Sequence, residues 1–360
     1  MSGTRTPAPA GASYTTGDRL PPISLPGPGG ALVDLSSQTI AGRSIVLWVT
    51  GPDPDPATAA DLGAAADGFA AAGAATFSLT PGCALDGLDV LHDPEARLPR
   101  GVGLAGPGFI VLDPEQRLAG VFPQAGGVEA ALAACRGIFE RTAETVARGQ
   151  APVLVIPDVV DAALCRRMID FWEAGEKLVD GVAVGGAASA AARHGKRRAD
   201  VPIVDRALLQ DVSRCIGRRV TPMIRKAFQR EVTRCETLRI GCYESERQGA
   251  FARHRDNATP YTAHRLFAMS LNLNDAFTGG EVRFPEFGRT LFRPDPGAAL
   301  VFSCSLLHEA LPVLTGRRFG LFTFLYDEEG AERERRMMER EKAAGRDPTT
   351  HYPGVAEDGE

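Results

Sequence analysis

The chain has 360 residues, of which 44% are hydrophobic and 24% charged, and its formal net charge is −5. This length accommodates two domains with a core each, and the composition is that of an ordinary globular protein. The acidic balance offers no basic face for non-specific nucleic-acid binding, so we expect no nucleic-acid partner. The first residues lack the apolar core of a signal peptide, and the apolar runs are too short to cross a bilayer. We therefore expect a cytoplasmic protein without a membrane partner.

Residues 1–15 are small and polar, which predicts a disordered N-terminus. Between residues 16 and 149, short apolar runs alternate with helical patterns. The runs predict strands at Ser44–Thr50, Ala75–Leu79, Gly108–Asp113 and Leu118–Phe122, and the helices are predicted at Ala57–Gly73 and Val128–Arg148. Such alternation is typical of a three-layer α/β domain.

A junction near residues 149–152 precedes a second predicted domain, residues 152–328. It begins with a strand over Pro152–Pro157 and two helices, Asp158–Asp180 and Ala207–Phe228, separated by the Gly/Ala-rich segment Gly181–Arg193, which we expect to be a mobile loop. From Cys235 onward, short apolar runs are interrupted by turn sequences, of which the last is Thr315-Gly316. This pattern predicts an antiparallel barrel or sandwich. Residues 329–360 predict a charged helix followed by a polar tail.

Three potential metal ligands lie in the strand-rich region: His254, Asp256 and His308. Residues i and i+2 of a strand point to the same face, so His254 and Asp256 can bind one ion together. His308, from a distant strand, can complete the set. Two imidazoles and one carboxylate leave half of the coordination sphere open, which suits non-haem Fe(II). Taken alone, each residue could have a structural role instead of binding metal, for example in a surface turn or as a hydrogen-bonded histidine. Their occurrence together, in this order, favours the metal site.

Arg318 follows His308 by ten residues, at the start of a predicted strand over Arg317–Tyr326. Its guanidinium can bind the far carboxylate of an acidic co-substrate through two charge-assisted hydrogen bonds. Tyr243, eleven residues before His254, can donate a hydrogen bond to the same carboxylate.

The other polar residues and the cysteines favour structural interpretations. His92 and His194 are predicted to be solvated, and His264 is predicted to have a structural role rather than to bind substrate. The basic cluster Lys196-Arg197-Arg198 is predicted to be a solvated face rather than a substrate contact. The seven cysteines are scattered and form no Cys-x-x-Cys pair, so we expect them to be buried or idle thiols.

Several motifs between Val153 and Asp327 carry a family resemblance. They are Tyr243-x5-Gly249-x-Phe251-x-x-His254-x-Asp256, then Phe277-x-Gly279-Gly280-Glu281, and finally His308-Glu309-x-x-Pro312-Val313-x-x-Gly316-x-Arg318. With these motifs the region resembles the prolyl 4-hydroxylase-type branch of the Fe(II)/2-oxoglutarate-dependent oxygenases. The resemblance implies a double-stranded β-helix (jelly roll) with supporting helices. It also implies Fe(II) bound by His254, Asp256 and His308, and 2-oxoglutarate bound by Arg318 with help from Tyr243.

The carboxylate of Asp256 bears on the reaction type. Related halogenases have a small residue at this position so that chloride can bind the metal, and the presence of Asp256 therefore favours hydroxylation, with succinate and CO2 as co-products. The resemblance leaves open whether ascorbate is needed.

The N-terminal region resembles a different family. The stretch Gly17-Asp18-Arg19-Leu20-Pro21-x-Ile23-x-Leu25-Pro26 and the strand Ser44–Thr50 are similar to the opening of a peroxiredoxin of the thioredoxin superfamily. The peroxidatic cysteine position of that family falls near Thr58, and threonine cannot form the thiolate that peroxide reduction needs. Cys83 lies in a predicted turn without a basic neighbour. We therefore expect residues 16–149 to form a thioredoxin/peroxiredoxin-like domain without redox activity.

Three functions remain open from the sequence. The leading one is an Fe(II)- and 2-oxoglutarate-dependent dioxygenase that hydroxylates a prolyl or other peptidyl residue, or a small molecule. The alternatives are a non-catalytic binding or scaffold protein and, less favoured, a thiol peroxidase. The substrate is open, and so is a homodimer, although thioredoxin-like domains often dimerise.

Overall fold

The structure, a computed structural model, describes residues 13–27, 30–37, 39–80, 89–141, 149–179 and 195–345. The residues before 13, Cys83, the segment Gly181–Arg193, His194 and the tail beyond residue 345 lie outside these ranges. The chain divides into two compact units, Met1–Val146 and Ala147–Glu360. None of the helices in the described ranges is both long and apolar enough to cross a membrane.

The N-terminal unit alternates strands and helices. Its elements are β1 (Ser24–Pro26), β2 (Leu32–Asp34), β3 (Ser44–Val49), α1 (Pro56–Ala64), α2 (Ala66–Ala71), β4 (Ala74–Thr80), β5 (Asp89–His92), α3 (Arg97–Gly101), β6 (Gly108–Leu112), β7 (Leu118–Pro123) and α4 (Gly127–Arg141). Five strands form one sheet in the order β5-β4-β3-β6-β7. β3, β4 and β5 are parallel, whereas β6 and β7 pair antiparallel. β3 is buried along its whole length because apolar clusters cover both faces of the sheet.

Two predictions for this unit are wrong. The single helix predicted over Ala57–Gly73 is two helices that meet at Ala65. His92, expected to be solvated in a loop, is the last residue of β5 and is half-buried. β5 is only four residues long, and a run of that length carries little periodicity.

The C-terminal unit is rich in antiparallel strands. Its elements are β8 (Val153–Ile156), α5 (Ala162–Ala174), β9 (Leu178–Val179), β10 (Ala199–Pro202), α6 (Arg206–Cys215), α7 (Thr221–Phe228), β11 (Arg234–Cys235), β12 (Arg239–Glu244), β13 (Phe251–His254), β14 (Phe267–Asn272), β15 (Phe277–Gly279), β16 (Val282–Arg283), β17 (Leu291–Phe292), β18 (Ala299–Ser303), β19 (His308–Ala310), β20 (Val313–Tyr326) and α8 (Glu328–Ala343). The large sheet has the order β8-β18-β14-β20-β12-β10-β9, with β11 and β15 also paired to β20. A smaller sheet has the order β13-β19-β16-β17. The two antiparallel sheets fit a jelly-roll fold, which confirms the fold predicted for this region.

The two faces of the large sheet have different chemistry. Met168 of α5, Val212 of α6 and Ile224 of α7 are buried together with Leu321 of β20 in one apolar cluster. Successive residues of a strand point to opposite faces. The residues of β12, β14 and β20 that alternate with the cluster therefore face the other way, and these include the polar side chains discussed below.

The second predicted helix of this unit, Ala207–Phe228, is interrupted. The structure has α6, a π-helical segment Ile216–Val220, and α7, with Pro222 in the first turn of α7. Proline has no N–H to donate to the preceding turn, and a widened turn accommodates that gap. The preceding helix, predicted over Asp158–Asp180, begins after the capping residue Asp161 and ends before Gly175.

The turn predicted at Thr315-Gly316 is also wrong, because β20 runs through it. Gly316 has a positive φ of 73°, and a Cβ there would lie 2.4 Å from the carbonyl oxygen of Ala276. Glycine thus allows a close approach to the neighbouring backbone within the strand, and the strand continues.

Gly297 provides a test of the turn before β18. Its φ is +83°, and a Cβ would lie 2.3 Å from the carbonyl oxygen of Val160. We expect Gly297→Ala to lower the free energy of unfolding by roughly 2–4 kcal/mol, because left-handed strain and overpacking add. Urea unfolding measures the change. The control is Gly217→Ala in the π-helical segment, where an added Cβ meets nothing within 4 Å. Equal losses in the two variants would show that the turn does not require glycine at position 297.

Candidate metal centre

Two paired strands bring the three predicted ligands together. His254 of β13 lies directly opposite His308 of β19. One ligand atom from each of His254, Asp256 and His308 lies within 4.8 Å of the other two. Nε2 of His254 is 3.3 Å from Oδ1 of Asp256, and Nε2 of His308 is 3.4 Å from Oδ2. β13 ends at His254, so Asp256 lies just beyond the strand, and the cross-strand pair sets the site as much as the i, i+2 spacing does.

Backbone carbonyls orient both imidazoles. Nδ1 of His254 is 2.7 Å from the carbonyl oxygen of Ala252, and Nδ1 of His308 is 3.0 Å from that of Leu306. A carbonyl oxygen can only accept, so Nδ1 is the donor in each ring and Nε2 is the nitrogen that faces Asp256. This is the arrangement that histidine ligands of metals usually have.

The charges of the triad suit a metal ion as well. Burial, the largest single effect, raises the pKa of Asp256, but the contact with His254 and the charges that His308, His254 and Arg265 carry when protonated together outweigh it, so the pKa lies below its usual range. Burial, the larger effect, lowers the pKa of His308 despite the attraction of Asp256. At neutral pH the carboxylate is therefore charged and His308 neutral, which are the forms that bind metals.

Aromatic rings restrain the imidazoles. The ring of Phe251 stacks on His254 with centroids 3.7 Å apart, and the ring of Phe302 packs edge-on against His308 at 4.7 Å. The donor set of two imidazole nitrogens and one carboxylate oxygen, rigidly held and open on one side, fits a divalent iron ion.

A buried ion pair supports the loop that follows Asp256. Arg265 donates a hydrogen bond of 3.2 Å from Nη1 to the carbonyl oxygen of Asp256 and one of 2.9 Å from Nη2 to Oε2 of Glu236. Nε2 of His264 lies 3.1 Å from Oε1 of Glu236. His264 is buried in this network, as the structural interpretation predicts.

The last described helix, α8, packs on the same loop. The hydroxyl of Tyr261 donates to Oε2 of Glu341 at 2.8 Å. A Cβ at Gly330 would lie 2.8 Å from the carbonyl oxygen of His264, so glycine is needed for this approach. Helix α8 therefore braces the loop that carries Asp256, although most of its charged side chains are exposed as predicted.

A cavity of about 650 Å³, a volume that includes its open mouth, joins the triad to Arg318 and Tyr243. Arg318 and Tyr243 lie opposite each other on β20 and β12. The buried guanidinium of Arg318 donates only to uncharged oxygens: those of Asn272 at 3.4 Å, Gly280 at 2.8 Å and Ser270 at 3.2 Å. Within the described ranges no carboxylate forms an ion pair with it. Burial lowers the pKa of Arg318, as expected for a cation that lacks a counter-charge.

The interpretation of Lys196-Arg197-Arg198 as a solvated face is wrong for two of the three residues. Asp200 accepts a hydrogen bond of 2.7 Å from buried Lys196 and bonds of 2.5 and 2.9 Å from Arg198. Arg198 also donates to the hydroxyl of Tyr243 at 3.2 Å. The spacing Lys196-x-Arg198-x-Asp200 could have predicted this ion pairing, since extended backbone places these three side chains on one face.

Glycine at position 241 makes room for the Arg198–Asp200 pair. A Cβ there would lie 2.6 Å from Oδ1 of Asp200 and 2.8 Å from Nε of Arg198. The inner face of β12 thus holds this pair between Arg239 and Tyr243.

No family model and no curated protein matches the chain. Among solved structures it is similar to a prolyl hydroxylase from Trichoplax adhaerens in complex with a peptide fragment of the hypoxia inducible factor oxygen degradation domain. That similarity covers 50% of this chain and 86% of the other, at 15% identity and a TM-score of 0.42. It is also similar to a prolyl-4-hydroxylase from Pseudomonas putida (16% identity, 50% and 94% covered, TM-score 0.39). A third is a 2OG-Fe(II) oxygenase-family oxidoreductase from Burkholderia pseudomallei (17% identity, 49% and 84% covered, TM-score 0.37). By their names, these proteins are prolyl hydroxylases and a 2OG-Fe(II) oxygenase-family protein, the class that the sequence motifs of this chain resemble.

Removal of one imidazole tests the metal site. We expect His308→Ala to abolish Mn(II) binding in a calorimetric titration without loss of fold, because two remaining ligands hold a divalent ion weakly. His92→Ala, in the N-terminal unit, is the control and should bind as the unaltered protein does. Undiminished binding by a folded His308→Ala variant would show that the triad is not the metal site.

The pKa directions predict a pH profile for metal binding. Because the pKa of His308 lies below its ordinary value, it holds no proton at pH 7, and affinity for Mn(II) should be nearly flat between pH 7 and 8. As the pH falls through the lowered pKa of His308, affinity should fall by up to about tenfold per pH unit, because the imidazole takes up a proton. Asp256, with its lowered pKa, stays charged in this range. Titrations at half-unit steps measure the profile, and a decline that begins above pH 7 would contradict it.

Proposed function

We propose that the C-terminal unit is an Fe(II)- and 2-oxoglutarate-dependent dioxygenase that hydroxylates a C–H bond. The observation that carries this proposal is the buried guanidinium of Arg318, which has no carboxylate partner among the described residues and shares a cavity with the His254, Asp256 and His308 triad. A buried cation needs a counter-charge, and a 2-oxo diacid supplies one at its far end while its near end reaches the metal.

The residues of the cavity would share the work as follows. His254, Asp256 and His308 would bind Fe(II), which when bound supplies the activation of dioxygen. Arg318 would hold the distal carboxylate of 2-oxoglutarate by its planar fork. The oxygen of Tyr243 accepts a hydrogen bond from Arg198, so its own proton is available to the co-substrate.

Apolar rings would limit water in the reaction space. Phe302, Phe322 and Phe324 line the cavity that also contains the triad and Arg318. A cavity with little water strengthens the electrostatic contacts made by a bound diacid and protects reactive species from side reactions. The primary substrate is proposed to be a prolyl or other peptidyl residue or a small molecule. Cytoplasmic location stays a prediction from the sequence, and a homodimer and a need for ascorbate stay open.

For the N-terminal unit we propose a thioredoxin-like scaffold without redox activity. Thr58, at the position expected for a peroxidatic cysteine, is buried in the first turn of α1, and its hydroxyl donates to Asp55 at 2.6 Å. Burial raises the pKa of Cys135 to about 11, so this thiol is protonated at neutral pH. Both observations speak against a thiol peroxidase.

Succinate formation tests the proposal. We expect the protein to release succinate from 2-oxoglutarate only with Fe(II) present, and Arg318→Gln to lower kcat/KM for 2-oxoglutarate by about 100-fold or more, since two charge-assisted hydrogen bonds are lost. Arg317→Gln is the matched control, because this neighbour is exposed and pairs with Glu173 at 2.8 Å. Mass spectrometry of a peptide and metabolite mixture for one added oxygen then identifies the substrate. Succinate release without metal would refute the proposal, and no release at all would refute it and favour a binding protein.

A further inference from the structure

A third arginine lines the cavity, and neither the sequence motifs nor the proposed reaction uses it. Arg239 is the first residue of β12 and lies opposite Phe322 of β20. It shares the inner face of β12 with Gly241 and Tyr243, and its side chain lines the same cavity as the triad.

Arg239 has no counter-charge of its own. It is half-buried, donates no hydrogen bond and forms no ion pair with any residue in the described part of the chain. The carboxylates of Glu236 and Asp200 attract it electrostatically, but they are hydrogen-bonded to Arg265 and Arg198 instead. Burial lowers the pKa of Arg239, and the charges of Arg265 and Arg198 lower it further.

The three cavity arginines are in different states. Arg198 is bound to Asp200 by two hydrogen bonds, and its guanidinium lies 3.9 Å above the ring of Phe322. Arg318 is assigned by the proposed function to the distal carboxylate of 2-oxoglutarate. Arg239 alone of the three has neither a carboxylate partner nor a role in that reaction.

Arg239 and Arg318 lie at different levels of the sheet, with another side chain between them. Arg318 pairs with Tyr243 and Arg239 pairs with Phe322, so the two positions are separated by four residues along the sheet. At about 3.3 Å per residue this is roughly 13 Å. The Arg198 side chain lies between them, over Gly241. Because the Arg198–Asp200 pair occupies the position between them, we treat Arg239 and Arg318 as two separate sites for negative charge.

We infer that Arg239 binds a carboxylate of the primary substrate, so that the enzyme acts on an acidic compound. This inference rests on the proposed function. A single guanidinium without a counter-charge calls for one negative charge, and its planar fork matches a carboxylate. An amide or hydroxyl at the same place would leave the cation uncompensated, and a half-buried uncompensated charge costs free energy. The carboxylate would come from a free acid or from an Asp or Glu side chain beside the modified residue of a peptide.

Binding measurements under anaerobic conditions test the inference without turnover. The full chain is loaded with Mn(II) and saturating 2-oxoglutarate, so that Arg318 is occupied. Calorimetry then measures two sets of probes: blocked tripeptides with Glu or Gln beside a proline, and small monocarboxylic acids with their amides. A blocked tripeptide with phosphoserine at the same position is a third probe. The variants are Arg239→Gln, Arg239→Lys and, as a control, exposed Arg230→Gln.

In at least one set, we expect the unaltered protein to bind the carboxylate member about tenfold or more tightly than its amide, a preference that one charged hydrogen-bonding pair provides. Arg239→Gln should lose this preference, Arg239→Lys should keep part of it, and Arg230→Gln should keep all of it. Affinity for 2-oxoglutarate alone should change less than twofold in Arg239→Gln. The set that responds distinguishes a peptide from a small-molecule source.

Three results would overturn the inference: no preference for the carboxylate, a stronger preference for phosphoserine, or a loss of 2-oxoglutarate binding in Arg239→Gln as large as in Arg318→Gln. The last result would place Arg239 in the co-substrate site. A carboxylate preference that depends on Arg239, in a protein that releases no succinate, would instead refute the proposed reaction and leave the anion site standing. Melting temperatures of each variant establish that it is folded.

Discussion

The buried carboxylate of Asp256 is the group on which the arrangement of the C-terminal unit depends. An ionised carboxylate away from water is stable only with compensating charge or hydrogen bonds. Here the imidazoles of His254 and His308 lie against its two oxygens, and its backbone is fixed through the N–H to Cys304 and the carbonyl to Arg265. The strand pair β13–β19, the loop after Asp256 and the ion pair of Arg265 with Glu236 all help to hold this carboxylate in place. A divalent metal ion held by the triad would supply the positive charge that neutral imidazoles do not.

In the large sheet, successive side chains along a strand alternate between the apolar core on one face and the cavity on the other. Leu321 of β20 lies in the apolar cluster under the helices, whereas Arg318, Phe322 and Phe324 of the same strand face the cavity. Charged residues can therefore accumulate on the inner face without disturbing the core. Gly241 of β12 has no side chain on the cavity face, and this leaves space for the charged pair of Arg198 and Asp200 from the neighbouring chain segment.

The sequence was informative where function requires particular residue types at a fixed spacing. The jelly-roll class and the ligand triad follow from such motifs, and the structure brings His254, Asp256, His308, Arg318 and Tyr243 around one cavity. Positions that depend on packing between distant segments were not predictable. The charges of Lys196 and Arg198 suggest solvent exposure, and only pairing with Asp200 and the gap above Gly241 explain their burial. The predicted helix boundaries were wrong for local reasons, as near Pro222, where a π-helical segment precedes the proline and interrupts the helix.

The contact between α8 and the ligand loop bears on how the site is assembled in the cell. All three residues of the triad precede Glu328, so they leave the ribosome before the bracing helix does. Until Glu341 and Gly330 reach Tyr261 and His264, the loop that carries Asp256 lacks its outer support. A chain that ends before Glu328 would therefore carry all three residues of the triad but lack the contacts of α8 with the loop that follows Asp256.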